Sequence, residues 1–251
     1  MKLKILCGLL AGLAMGSAGA AEPAVWSGEI VPSLWVAGLS GNGTVAGHDV
    51  DFNRSFGDVL DHLDVGGSLA ARVTRGRLVV GGQIDGYSFT TDDLTVDDRP
   101  LDGELETDLI VSELAAGYVF PGWKPDQSFA VALGARHAHV EADLDVAGAP
   151  RVRGDLDLLD PMLILWPSTP LFPMWIRGLS LVPAISIGGG HDSELVYELY
   201  PQLRYQATEH LAVRFGYRTI GYRMKDGADE LDFDLAGFIA GLGVSFCASQ
   251  T

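Results

Sequence analysis

Beyond residue 21, no segment of this chain stays apolar for the ~18 residues that a membrane-spanning helix requires, although 47% of its residues are hydrophobic and its mean hydropathy is +0.20. Helices are thereby excluded as spanning elements. The other arrangement that satisfies every backbone N–H and C=O inside lipid is a closed β-barrel, whose strands need only ~9–11 residues of period-two pattern.

The amino terminus bears on the compartment. Lys2 and Lys4 precede an apolar run from Ile5 to Leu13, which passes into small residues ending in Ala18-Gly19-Ala20-Ala21. This is the pattern of a secretory signal peptide, with cleavage expected after Ala20 or Ala21. Gly8, Gly12 and Gly16 interrupt the run before it reaches the length of a helical anchor. Cys7 lies too early to carry a lipid, and Cys247, alone in the remaining chain, has no partner for an internal disulfide. A formal net charge of −16 disfavours a nucleic-acid partner. Neither a linker nor a low-complexity tract divides residues 22–251, which are expected to form one domain.

The period-two pattern is clearest from Leu211 to Arg223. Leu211, Val213, Phe215 and Tyr217 share one face, whereas Ala212, Arg214, Gly216, Arg218 and Tyr222 share the other. Before it, Leu195, Tyr197, Leu199, Leu203 and Tyr205 stand opposite Glu198, Gln202, Arg204 and Gln206. A soluble β-sandwich would alternate in the same way. The secretory leader and glycines within strand patterns, such as Gly81, Gly82, Gly134, Gly237, Gly241 and Gly243, favour a tightly curved antiparallel barrel.

Ten strands are predicted, near residues 25–39, 66–74, 77–90, 104–119, 128–143, 152–165, 175–188, 194–207, 211–224 and 231–246; an eight-stranded barrel is the alternative. One set of connections is short (Arg75-Gly76, 121–127, 207–210), with a Pro-rich exception at 166–174. The other set, at 40–65, 91–103, 144–151, 189–193 and 225–230, is longer and acidic and is expected outside the cell.

Four stretches, PSLWVAGLSGNGTV at 32–45, VDFNRSFGDVLDHLDVGGSLAARVTRGRL at 50–78, RFGYRTIGYRM at 214–224 and FDLAGFIAGLGVSF at 233–246, together with Asp160-Pro161, resemble a family of uncharacterised outer-membrane β-barrels of Gram-negative bacteria, small and porin-like. The resemblance implies fold and outer-membrane location, and no reaction, ligand or cofactor. Bacterial barrels commonly end on an aromatic residue; here CASQT follows Phe246. Within the second stretch, Phe56, Val59, Leu60 and Leu63 fall at i, i+3, i+4 and i+7 behind Ser55, which predicts a short amphipathic helix in the first extracellular loop.

Three constellations could carry chemistry. His137, His139 and Glu141 project from one strand face and have metal-ligating chemistry, but Phe129, Val131 and Leu133 share that face, so the trio reads as the rim of a lipid-facing row and no metal is expected. His191-Asp192-Ser193 follows Gly188, Gly189 and Gly190 and reads as a loop apex; its alternative is a lipid-acting hydrolase in which His191 activates Ser193. The inward polar set is Gln83, Asp85, Arg136, Asp160, Glu198, Gln202, Arg204, Arg214 and Arg218. In a narrow barrel these meet as ion pairs, with Asp85, Asp160 and Glu198 the candidate anions for Arg218. The expected protein is a monomeric, non-enzymatic outer-membrane barrel with a structural or narrow-passage role for a small solute. Its expected partners are outer-membrane lipid and the barrel-assembly machinery.

Overall fold

The computed structural model describes residues 25–45, 48–54, 66–92, 94–97, 99–100, 102–124, 126–146, 148, 150–226 and 229–248. The predicted leader (1–21) and the predicted helix (55–63) lie outside the described residues.

Among the described residues, fifteen strands form one sheet. They are β1 (Trp26–Val45), β2 (His48–Arg54), β3 (Gly66–Arg75), β4 (Leu78–Thr91), β5 (Leu94–Val96), β6 (Arg99–Pro100), β7 (Gly103–Pro121), β8 (Ser128–Val146), β9 (Val152–Pro170), β10 (Leu179–Leu181), β11 (Ala184–Gly188), β12 (Leu195–Tyr200), β13 (Gln202–Gln206), β14 (Leu211–Asp226) and β15 (Asp229–Ala248). Each of the ten predicted strands is present as one stave. Going round the wall, β1 pairs with β3, then come β4, β7, β8, β9, the β10/β11 stave, the β12/β13 stave, β14 and β15, all antiparallel. The pairing of β15 with β1, from Trp26↔Ala248 to Thr44↔Glu230, closes the ten-stranded barrel.

Two staves are written in two pieces because proline has no N–H to give the ladder. Pro183 separates β10 from β11, and Pro201 separates β12 from β13. The ladder continues past both: the Val182 N–H donates to Gln202 O at 2.8 Å and the Tyr217 N–H to Pro201 O at 3.2 Å.

The loops differ from the sequence expectation. Strands β7, β8 and β9 run for 19 residues each, about twice the ~9–11 needed to cross lipid. The wall therefore continues upward through positions expected to be loop, and the connections at 147–151 and 227–228 are short. Part of the predicted first loop is β2, which pairs back on the upper part of β1 and on which β5 and then β6 add, in addition to the ten staves. The Pro-rich connection lies at 171–178 instead of 166–174, because β9 extends to Pro170 before the chain turns.

The outer surface marks where the wall meets lipid. On β7 the outward row Ile110, Leu114, Tyr118 and Phe120 is apolar and exposed, and above it Asp108, Glu106 and Glu104 follow at the same parity. On β15 Phe238, Leu242, Val244 and Phe246 form the apolar row, with Asp234, Asp232 and Glu230 above. Leu133 on the outside is 70% exposed while Trp35 inside is 0% exposed. An apolar row of about 11 residues repeated around a closed wall, with charged residues inside and above it, is the surface of a membrane-spanning barrel. The protein is an outer-membrane β-barrel.

Candidate functional site in the barrel lumen

The inward rows converge on three tiers. The middle tier is ionic. Arg136 on β8 donates to Glu113 Oε2 on β7 through Nη2 at 2.7 Å and Nε at 3.1 Å, to Ser186 Oγ on β11 at 3.2 Å, and to Glu198 on β12. Arg218 on β14 donates through Nε to Glu198 Oε1 and through Nη1 to Asp85 Oδ1 on β4, both at 2.9 Å. Asp85 also accepts from Gln83 Nε2 at 3.0 Å. The Arg218 guanidinium lies over the Trp35 ring at 4.5 Å, and Trp35 meets Tyr87 edge-on at 4.7 Å. Arg136, Arg218, Asp85 and Glu198 are all buried. Two cations and three carboxylates thus form one chain across the lumen, and low dielectric makes each broken link costly.

The backbone makes room for this chain. Gly237 stands opposite Arg218 in the β14–β15 ladder, and a Cβ there would run into Val36 O, so only glycine allows β15 to close on β1 at this level.

Above the ionic tier, the next inward position on each stave is apolar. Asp85 is followed by Tyr87 and Phe89, Glu113 is preceded by Val111 and Leu109, and Glu198 is preceded by Val196. Arg218 is followed by Ile220 and Tyr222, and Tyr222 stacks on Phe233 at 4.9 Å. With Leu39, Leu158 and Leu235, these side chains form one buried cluster. The lumen was expected to be polar; its outer half is instead an apolar core.

Below the ionic tier, small inward residues alternate with large polar and aromatic ones. Ser33, Ser68, Ala70, Gly81 and Gln202 line a cavity of about 80 Å³ toward the end that carries the strand termini Trp26 and Ala248, the end that the sequence reading expects in the periplasm. Glu29 accepts from Arg204 Nε at 3.2 Å and pairs with Arg214, which also donates to Gln202 Oε1 at 2.5 Å.

All nine predicted lumen residues face inward. Gln83, Asp85, Arg136, Glu198 and Arg218 join one network, and Gln202, Arg204 and Arg214 a second, lower one. Asp160 joins neither. Its Oδ1 accepts the backbone N–H groups of Asp192 at 3.2 Å and Ser193 at 3.1 Å, so it fastens the turn between β11 and β12 and is no partner of Arg218. The sequence reading missed Glu29 and Glu113. Parity could have found both, since Glu29 shares the inward row of Trp35 and Glu113 that of Val111.

Toward the barrel rim opposite the chain termini, Asp157 on β9 holds both predicted histidines, His139 Nδ1 at 2.8 Å and His137 Nε2 at 3.3 Å, and Glu141 faces His139 Nε2 at 3.3 Å. In the turn after β11, His191 Nδ1 faces Asp192 Oδ1 at 2.9 Å, and Asp192 Oδ2 accepts the Leu159 N–H at 2.8 Å. That N–H is the main reason the Asp192 carboxyl is held below its ordinary range; the His191 contact lowers it further. Ser193 is buried, and its Oγ has no hydrogen-bond partner among the described residues, so the turn does not join it to His191.

No protein-family model matches the sequence, and no curated protein does. Solved structures to which it is similar include the outer membrane protease OmpT from Escherichia coli, at 9% identity over 92% of this chain and 99% of that one, with a TM-score of 0.47. A major outer membrane protein from Thermus thermophilus aligns at 11% identity over 88% and 99%, with a TM-score of 0.42. Ail, the attachment invasion locus protein of Yersinia pestis, aligns at 14% identity over 87% and 99%, with a TM-score of 0.35.

Proposed function

We propose that this outer-membrane barrel is closed at rest and serves a structural role as a monomer, in contact with outer-membrane lipid along its apolar belt and delivered there by the barrel-assembly machinery. The observation that supports this role is the buried tier of Leu39, Phe89, Leu109, Val196, Tyr222 and Phe233 above the ionic network. Water and ions crossing the lumen would have to part close-packed apolar side chains and then a connected chain of ion pairs, both of which hold a narrow barrel shut. A narrow passage for a small solute would require the same tier to open.

Planar-bilayer recording separates the two roles. The closed barrel gives no conductance steps in either voltage polarity, with insertion verified by protease protection. The double variant Tyr222→Ala/Phe233→Ala, which removes the stacked pair, produces steps. Discrete steps from the wild-type protein overturn the structural role and establish the passage.

A further inference from the structure

The cavity below the ionic tier contains a guanidinium with no ion pair of its own among the described residues: the Glu29 carboxylate on the same cavity acts on it electrostatically but is paired with Arg204 and Arg214. Among the described residues, Asp85 and Glu198 are taken by Arg218, Glu113 and Glu198 by Arg136, and Glu29 by Arg204 and Arg214. Arg72, which lines the same cavity from β3, has neither an ion-pair nor a hydrogen-bond partner among the described residues. Its guanidinium lies over the Trp166 ring, with the guanidinium carbon 4.2 Å from the ring centroid. That ring reaches across the lumen from β9 to β4, where Gly81 admits it; a Cβ on Gly81 would lie 2.9 Å from the indole.

Stacking occupies the face of a guanidinium and leaves its edge free. The edge is the planar N–H fork that takes a carboxylate through two parallel hydrogen bonds. Val31, Ile164, Ala184 and Ile239 supply apolar wall to the same cavity. About 80 Å³ of space has room for on the order of six water-sized groups. A cation with no ion pair of its own, a free fork, apolar walls and this size together specify one class of occupant.

We infer that the periplasmic cup of the barrel binds a short-chain organic carboxylate, with its head on the Arg72 edge and its tail against Ile164 and Trp166. The carboxylate enters and leaves from the periplasmic side, since the tiers above are closed in this structure.

Butyrate is a suitable probe, with butyramide as its neutral isostere and inorganic phosphate as an anion without a tail. The full chain, refolded in detergent with 15N-labelled tryptophan, is titrated at constant ionic strength, and the Trp166 indole resonance is identified from Trp166→Phe. Butyrate is expected to move that resonance saturably, with at least tenfold weaker effects from butyramide and phosphate. Arg72→Gln, which breaks no ion pair, should weaken butyrate at least tenfold, whereas Arg177→Gln in the exposed periplasmic turn should not. If Arg72→Gln does not refold, Arg72→Lys takes its place, and the loss of the planar fork should weaken butyrate several-fold. No saturable shift, equal response to butyramide or phosphate, or an Arg72 variant that binds like wild type each overturns the assignment.

Discussion

Replacing Arg218 with methionine tests whether the middle of the lumen is a dry ionic core. Methionine preserves most of the side-chain length, so the change removes charge and hydrogen bonds while creating little cavity. Glu198 keeps Arg136 as a partner, but Asp85, 0% exposed, is left with only the Gln83 amide at 3.0 Å. Breaking one side of a buried pair costs about 3–5 kcal/mol because the remaining charge stays desolvated. Loss of the cation–π contact with Trp35 adds at most about 2 kcal/mol. Urea unfolding in lipid vesicles should therefore place Arg218→Met about 3–5 kcal/mol below wild type. Adding Asp85→Asn removes the stranded charge and should restore a substantial part of that loss, a coupling that the double-mutant cycle isolates. A single variant within about 1 kcal/mol of wild type, or a double variant whose cost is the simple sum, would mean that water reaches these groups and that the core is not dry.

On the lipid side, Phe215, exposed and stacked against Phe238 at 5.8 Å, lies in the apolar belt, and Phe215→Arg should destabilise by about 2–4 kcal/mol, while Asp92→Arg in an exposed connection changes little; similar costs in the same vesicle assay would reverse the face assignment. Gly237→Val places a branched side chain against Val36 O at the closing seam and should abolish the compact, heat-modifiable band on cold gel electrophoresis; a normal band refutes the need for glycine there. Because Asp192 has a lowered carboxyl pKa, its hold on the Leu159 N–H is present above the ordinary aspartate value of about 3.9 and is lost only as pH falls through the lower folded value. The Leu159 amide resonance should follow that transition and lose it in Asp192→Asn; a midpoint at or above the ordinary value contradicts the hydrogen bond.

Side-chain parity was legible without coordinates. A strand has a period of two, so once Leu211, Val213 and Phe215 are placed on one face, Arg214 and Arg218 must lie on the other; the inward set followed from that geometry alone. Turn residues and prolines located the ends of ten strands to within a few positions, except where the wall runs on above the membrane. There the extension was hidden because charged residues on an outward row look like loop, although the ladder hydrogen bonds that carry them need no apolar side chain. The apolar plug was hidden for the opposite reason. In Leu109-Ile110-Val111 and Leu158-Leu159 both faces are apolar, and a sequence does not distinguish a lipid-facing leucine from one facing the lumen.

Which inward residues meet was decided only by tertiary structure. Arg214 pairs with Glu29, 185 residues away in sequence, and Arg136 with Glu198, 62 away. Those distances close because β15 returns to β1 and because strand register sets the height of every side chain in the lumen. A shift of one residue in any ladder would turn its inward row outward. By itself the chain therefore determined that a barrel forms and which face of each strand looks inward. Closure and register determined that Asp160 ties down a turn, that Arg218 finds Asp85 and Glu198, and that Arg72 forms no ion pair among the described residues, because each depends on the height at which distant strands meet across a lumen only a few side chains wide.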